Sequence, residues 1–287
     1  MNENRILIIG SNGQLGKELQ KKYPKAIAID YETLDISNEV SINNFNWKEV
    51  DVIINAAAYT NVDGAETQDG RIIAWKVNAV GPALLSKIAN KLNKTLIHIS
   101  SDYVFDGSSK DSHSENEPFS PLSVYGQSKT AGDIAVGLIE KYYLIRTSWV
   151  IGDGKNFVRT MLDLANKGIS PSVVSDQVGR LTFTSELVRA IDYLLQNKCP
   201  YGVYNITNDG EPASWADITR KIFKLAGKNE LKVSDVSTEQ YYKDKIGAAP
   251  RPLNSVMDLN KIHSTGFKSK DWYNDLSQYI EKELEKK

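Results

Sequence analysis

Between residues 5 and 148, short apolar runs alternate with segments whose apolar residues recur at helical spacing. RILIIG (5–10), AIAID (26–30), DVIINAAA (51–58), TLIHIS (95–100) and YYLIRTS (142–148) read as strands. Several are apolar at nearly every position, the pattern of a strand covered on both faces. Helical periodicity falls at 15–23, 39–46, 72–93 and 124–140. Strands alternating with helices predict a parallel sheet between helical layers, and right-handed crossovers make it doubly wound. The expected fold class is α/β, a Rossmann-type doubly wound parallel sheet.

Past residue 150 the alternation loosens. Helices are expected at 156–167, 184–196, 214–226 and 272–286, and strands at 172–176 and 202–207, while 228–270 reads as polar and irregular. This predicts a sheet domain over 1–150 and a smaller, mainly C-terminal lobe over 151–287, with segments around 170–207 as candidates to rejoin the sheet. The stretch DGSSKDSHSENEPFSP (106–121) is a loop of turn-forming residues; loops of that length are usually functional or mobile.

Composition mainly excludes. With 41% apolar and 25% charged residues the chain is an ordinary globular one. Its net charge of −1 offers no basic excess for nucleic acid or a membrane surface. No uninterrupted apolar run approaches the ~20 residues of a membrane span, and the first apolar run is too short for a secretory signal. The single cysteine, Cys199, excludes an intrachain disulfide and fits a cytoplasmic location. His98, His113 and His263 are scattered, and no metal site is expected.

Three local patterns carry chemistry. Gly10, Gly13 and Gly16 follow the first strand and open a helix. Glycines there permit a tight turn and close approach to a pyrophosphate, and the helix start offers free N–H groups to the anion. Asp30 ends the second strand, where a carboxylate accepts bonds from an adenosine ribose and repels a 2′-phosphate, favouring NADH. In SVYGQSKTAG (123–132), Tyr125 and Lys129 are spaced i, i+4 and share one helix face. A free phenol loses its proton only near pH ~10; a neighbouring ammonium is expected to lower that value and ready the tyrosine for proton transfer. The spacing alone is common. Its weight rises with Ser101 and Asp102, which follow the strand TLIHIS at the end where open sheets bind ligands. A hydroxyl there can orient a carbonyl and stabilise developing charge.

With GSNGQLG, SSDYVF and YGQSK together, the chain resembles the extended short-chain dehydrogenases/reductases. NAAAYTNVDGAE (55–66), VNAVGP (77–82), SSDYVFDG (100–107), RTSWVIG (146–152), DQVG (176–179) and RPLNSVMD (251–258) narrow the resemblance to the dTDP-4-dehydrorhamnose reductase family, across almost the whole chain. The resemblance implies NADPH or NADH as cofactor and reduction of the C4 ketone of dTDP-4-dehydro-L-rhamnose. It implies that Gly10, Ser11, Asn12, Gly13, Gln14, Leu15 and Gly16 cradle the pyrophosphate. Asp30, Asp35 and Ile36 would surround the adenosine; Ala56, Ala57, Ala58 and Thr60 would line the cofactor path. Asn78 would serve a water relay. Ser101, Tyr125 and Lys129 would form the catalytic set, the last two also bordering the cofactor. Ser101, Asp102, Trp149 and Arg251 would contact the nucleotide-sugar, Arg251 through its pyrophosphate. Trp149 as plain core and Arg251 as a loop brace remain alternatives.

The family usually has threonine where Ser101 stands, and DQxGxPT where this chain reads DQVGRLT with Arg180 and Leu181. Some members bind magnesium at a dimer contact; Glu18 and Glu186 stand at matching places, but no third ligand is evident and no metal is expected. The resemblance leaves a homodimer open. It also leaves two other readings: a nucleotide-sugar 4-epimerase or 4,6-dehydratase, and a dinucleotide-binding regulatory subunit without turnover.

Overall fold

A computed structural model describes residues 2–286. The strands β1 (Ile6–Ile9), β2 (Ile27–Ile29), β3 (Val52–Asn55), β4 (Thr95–Ser101) and β5 (Tyr142–Thr147) lie within a residue or so of the apolar runs, β3 ending where the alanines begin. Together with Gly202–Asn205 they form a six-stranded sheet in the order β2-β1-β3-β4-β5-(202–205). Every pairing is parallel. The chain steps outward from β1 to β2, then returns to the other side of β1 as β3. That reversal leaves a crevice beyond the C-terminal ends of β1 and β3, where open α/β sheets bind ligands.

The principal helices are α1 (Gln14–Lys22), α2 (Glu39–Asn44), α3 (Gln68–Trp75), α4 (Gly81–Lys91), α5 (Val124–Val136), α6 (Phe157–Asn166), α7 (Thr184–Gln196) and α8 (Trp215–Leu225). Successive strand residues point to opposite sheet faces. Ile6, Ile8, Ile54, Ile97 and Ile145 bury against α1 and α7. Leu7, Ile9, Ile53, Leu96 and Leu144 bury against α4 and α5. Both faces are dry, hence the uninterrupted apolar runs. Each such side chain is worth about 1.5–3 kcal/mol when fully buried.

The helix expected at 72–93 begins at Gln68, where the Thr67 hydroxyl accepts the Gly70 N–H, and is not regular. A wide π turn over Lys76–Val80 separates α3 from α4. Pro82 accounts for the irregularity: it lacks the N–H that would bond the carbonyl of Asn78 one turn back. The run Gln68–Lys91 is long and apolar enough, by length and composition, to pass for a membrane span, but half of it is buried. It packs on α5 and β4, the part of a core helix.

Beyond residue 150 the chain divides its loyalty. Helix α7 and strand Gly202–Asn205 join the sheet layer. Ser172–Val174 instead pairs with Ser234–Val236. Helices α6 and α8 and the C-terminal helix Trp272–Glu285 enclose a second core of Val158, Leu162, Ile218, Ile222, Leu276 and Ile280. The stretch 228–270 contains Ser234–Val236, Thr238–Tyr242 and Asn260–Ser264, elements too short for periodicity to register.

The start of α1 presses directly on the glycine loop. A Cβ at Gly16 would overlap the Gly10 carbonyl oxygen and come within 2.7 Å of Ser11 Cα, both backbone. Helix propensity alone favours alanine over glycine by about 1 kcal/mol. The contact predicts the opposite sign: Gly16→Ala destabilises the chain by about 1–3 kcal/mol, read as a lower urea midpoint at unchanged slope. A raised midpoint would mean that α1 and the loop do not touch.

Candidate active site

A cavity of about 760 Å³ runs along the C-terminal strand ends, from Asp30, Asp35 and Ile36, past Gly10, Asn12–Leu15 and Ala56–Thr60, to Ser101, Asp102, Tyr125, Lys129 and Trp149. Of the residues singled out from sequence, Ser11, Gly16, Asn78 and Arg251 do not line it.

At one end the glycine loop is built to approach a ligand closely. Gly10 has φ of +81°, and a Cβ there would sit 2.7 Å from Ala57 N. Gly13 caps α1 with no side-chain bond, leaving first-turn N–H groups for an anion. The small side chains of Ala56, Ala57 and Ala58 keep the next strand end low. Glycine cradle, uncapped helix start and alanine path together fit a dinucleotide. Asp30 closes the loop as well as facing the cavity: its two oxygens accept N–H bonds from Asn12 (2.8 Å) and Tyr31 (2.8 Å). Gln14 accepts a bond from Gly152 N at 2.9 Å, tying the loop to the second lobe.

Asn78 lies behind the cavity wall. The π turn carries it into the interior, where it is 1% exposed. Its oxygen accepts the Tyr59 N–H (2.9 Å), and its two amide protons go to the Tyr59 carbonyl (3.0 Å) and Ser128 Oγ (3.1 Å). With both protons committed it donates to no water; it pins Tyr59, a cavity wall, against α5.

At the other end, α5 starts at Val124, with Ser123 accepting the Gly126 N–H at 3.1 Å. Tyr125 and Lys129 lie one turn apart on its buried face. Ser101, at the end of β4, donates to Asp102 Oδ1 at 2.9 Å and accepts the Tyr103 N–H at 3.2 Å. Lys129 Nζ donates to the Ile99 carbonyl at 2.6 Å and stands 3.5 Å from His98 Nε2. Asn55 Oδ1 accepts the Ala57 N–H (3.2 Å), so its amide nitrogen faces His98 Nδ1 (3.1 Å), which accepts.

These surroundings correct the expected phenol acidity. Burial pushes Tyr125 up to about 12; the Ser101 hydroxyl pulls it back in part, and the Asp102 and Asp133 carboxylates push it further up. Burial lowers Lys129 to about 8, opposed by Asp133. The ammonium is spent on the Ile99 carbonyl, and removal from water dominates both groups. At neutral pH Tyr125 is a protonated phenol, the form that donates. Beneath the pair, Asp133 and Arg146 form a buried ion pair at 3.0 Å, and Arg146 also donates to the Glu115 carbonyl at 3.0 Å. Burial still raises Asp133 above the usual carboxylate range.

Trp149 sits on the rim with φ of +50°, a conformation costly for an aromatic residue and frequent at ligand sites. Its ring stacks on Trp215, centroids 3.7 Å apart, and its carbonyl accepts the Thr182 N–H at 3.1 Å. Trp215 in turn donates to Gln177 at 3.2 Å. Sequence reasoning passed over Trp215, Gln177, Tyr59 and Tyr103; the last three lie inside motifs already singled out.

Arg251, expected at a pyrophosphate, is a loop brace here. Both Asp63 oxygens accept its Nη2, at 2.8 and 2.9 Å, Nη1 donates to the Ala249 carbonyl at 2.7 Å, and the guanidinium lies 4.5 Å from the Tyr242 ring centre. One guanidinium nitrogen is thus held by a carboxylate and the other by a carbonyl. The departures at Arg180 and Leu181 are also structural: Arg180 donates to the carbonyls of Gly210 (2.7 Å) and Met257 (3.1 Å), and Leu181 is fully buried. Glu186 accepts from Arg189 and Lys270 N, and Glu18 from Lys21. Among the described residues, no three His, Cys, Asp or Glu side chains converge as metal ligands would.

Residues 4–285 match the family model described as RmlD substrate binding domain. A dTDP-4-dehydrorhamnose reductase of Aggregatibacter actinomycetemcomitans is 36% identical over 93% of this chain and 95% of its own. The spore coat polysaccharide biosynthesis protein SpsK of Bacillus subtilis is 33% identical over 96% and 97%. Among solved structures, dTDP-4-dehydrorhamnose reductase of Bacillus anthracis in complex with NADP superposes with a TM-score of 0.88 at 34% identity, covering 97% of this chain and 99% of that one. Similarity of this extent takes in both the glycine loop and the Trp149 lobe, and the chain belongs to the RmlD substrate binding domain family, with dTDP-4-dehydrorhamnose reductases among its relatives.

Proposed function

We propose that this chain reduces the C4 ketone of dTDP-4-dehydro-L-rhamnose to dTDP-L-rhamnose with NADPH or NADH, as a cytoplasmic enzyme. The observation that carries the reading is one continuous cavity. It joins an uncapped glycine loop to a buried Ser101, Tyr125 and Lys129. The names of the relatives narrow the substrate. The sheet layer holds the dinucleotide, and the lobe built on α6, α8 and the C-terminal helix presents Trp149 to the nucleotide-sugar. Asp30 disfavours a 2′-phosphate, but two N–H groups share its charge, so either cofactor is compatible.

When bound, the reduced dinucleotide supplies a hydride to the carbonyl carbon. Tyr125 gives its phenolic proton to the ketone oxygen. Ser101, held on Asp102, turns its hydroxyl to that oxygen as charge builds there. Lys129, one turn along α5, favours the phenolate left behind. The burial of Tyr125 and Lys129 keeps water from competing for the proton.

The purified chain is expected to oxidise NADPH or NADH, followed by absorbance, when given this keto-sugar from a panel of 4-keto nucleotide-sugars. Inertness of folded, cofactor-binding protein toward the whole panel would sink the proposal, and tightly retained cofactor without net oxidation would point to an epimerase or dehydratase. Tyr125→Phe is expected to slow turnover by about 10²–10⁴-fold with cofactor affinity little changed; a near-wild-type rate would remove Tyr125 from its role.

The pH dependence has a defined sign. Reduction needs both the phenol and the ammonium protonated. Lys129, lowered to about 8, loses its proton before Tyr125 at about 12. The rate therefore falls as pH rises through about 8, and Lys129→Met removes that limb along with most activity. A rate that is flat from neutral pH to well above 8 would contradict the role given to Lys129.

A further inference from the structure

The motif RPLNSVMD contains a residue that the proposed chemistry leaves unexplained. Ser255 is 2% exposed, and Asp102, on the cavity wall, is also 2% exposed. Ser255 Oγ donates to Asp102 Oδ2 at 2.6 Å, while Ser101 Oγ donates to Oδ1 of the same carboxylate at 2.9 Å. The two serines are 154 positions apart in the chain and meet on one buried acid. Among the described side chains these hydroxyls are the partners the carboxylate has. The segment bearing Ser255 is firmly seated. Ser255 N donates to the Val178 carbonyl, Val178 N to the Leu253 carbonyl, and Asn254 N to the Gly107 carbonyl, at 2.8, 2.8 and 3.1 Å.

We propose that Ser255 is a positioning residue for the reduction, acting through Asp102 on the hydroxyl of Ser101. A carboxylate with one donor swings about its bond and grips that donor's proton. A second donor fixes its plane and shares its charge. Ser255 thereby holds Asp102 so that Ser101 is aimed at the cavity yet free to turn its proton to the ketone oxygen. The arrangement makes the alignment of the catalytic serine depend on the late segment 251–258, which is wedged between the 106–121 loop and Val178–Gly179. The inference rests on the reduction proposed above, and its test has one arm that does not.

In the kinetic arm, Ser255→Ala is expected to lower kcat by about 10- to 100-fold with KM for the keto-sugar and cofactor affinity changed less than about twofold. Ser255→Thr, which keeps the hydroxyl, restores kcat. Wild-type kcat in Ser255→Ala, or equal loss in both variants, would overturn the proposal. In the second arm, carbon-13-labelled aspartate is titrated in the full chain without substrate, with Asp102→Asn assigning the signal. Burial raises Asp102, and the Ser255 and Ser101 hydroxyls oppose it. The titratable groups facing it are Tyr103 beside it, Tyr125 from α5 and His113 from the loop. Loss of the Ser255 bond is expected to move its midpoint up and Ser255→Thr to return it; an unmoved midpoint overturns the link. Should the wild-type chain reduce no keto-sugar, the proposed function fails while this arm still decides the Ser255–Asp102 link.

Discussion

Lys129 carries its ammonium into a part of the molecule that water barely reaches, at 1% exposure. A buried charge is tolerated only where polar partners replace its hydration. Much of the surrounding structure supplies them. The Ile99 carbonyl takes the ammonium directly, and Asp133 offsets the burial from one turn further along α5. Asp133 is in turn a buried charge, and Arg146 of β5 pairs with it. Arg146 then needs the Glu115 carbonyl and the faces of Phe105 and Phe119, which draws the 106–121 loop over the sheet. The loop of turn-forming residues is thus the cover on a chain of charge compensation that ends at the lysine.

The second constraint is that the cavity belongs to neither half alone. Gln14 bonds Gly152, Trp149 stacks on Trp215, Arg251 clamps Asp63, and Ser255 holds Asp102. Each joins a residue of the sheet layer or its loops to one from the later chain. The strain at Trp149 is held in place by contacts that come from residues 179 to 215. The site is consequently assembled only when both cores have formed.

The patterns that were legible are local. β1 and its glycine loop, the i, i+4 pair on α5 and the strand end at Ser101 each follow from a few neighbouring residues and a period of two or about 3.6. The features that no local stretch shows depend on distant partners. Asn78 is carried by the π turn to Tyr59 and Ser128. Arg251 pairs with Asp63, 188 positions away. The acidity of Tyr125 took the opposite sign because spacing reveals a neighbouring lysine but not that both groups lie out of water.

By itself, then, the sequence determined the parallel sheet, the glycine loop after β1 and the tyrosine and lysine on one face of α5, since hydrophobic period and short-range spacing are properties of the chain. Tertiary structure alone decided which polar groups are free and which are spent, what protonation state the tyrosine and lysine hold, and that Ser255 shares an acid with Ser101. Those depend on desolvation and on hydrogen-bond partners brought together from far along the chain, and neither is written in any local stretch of it.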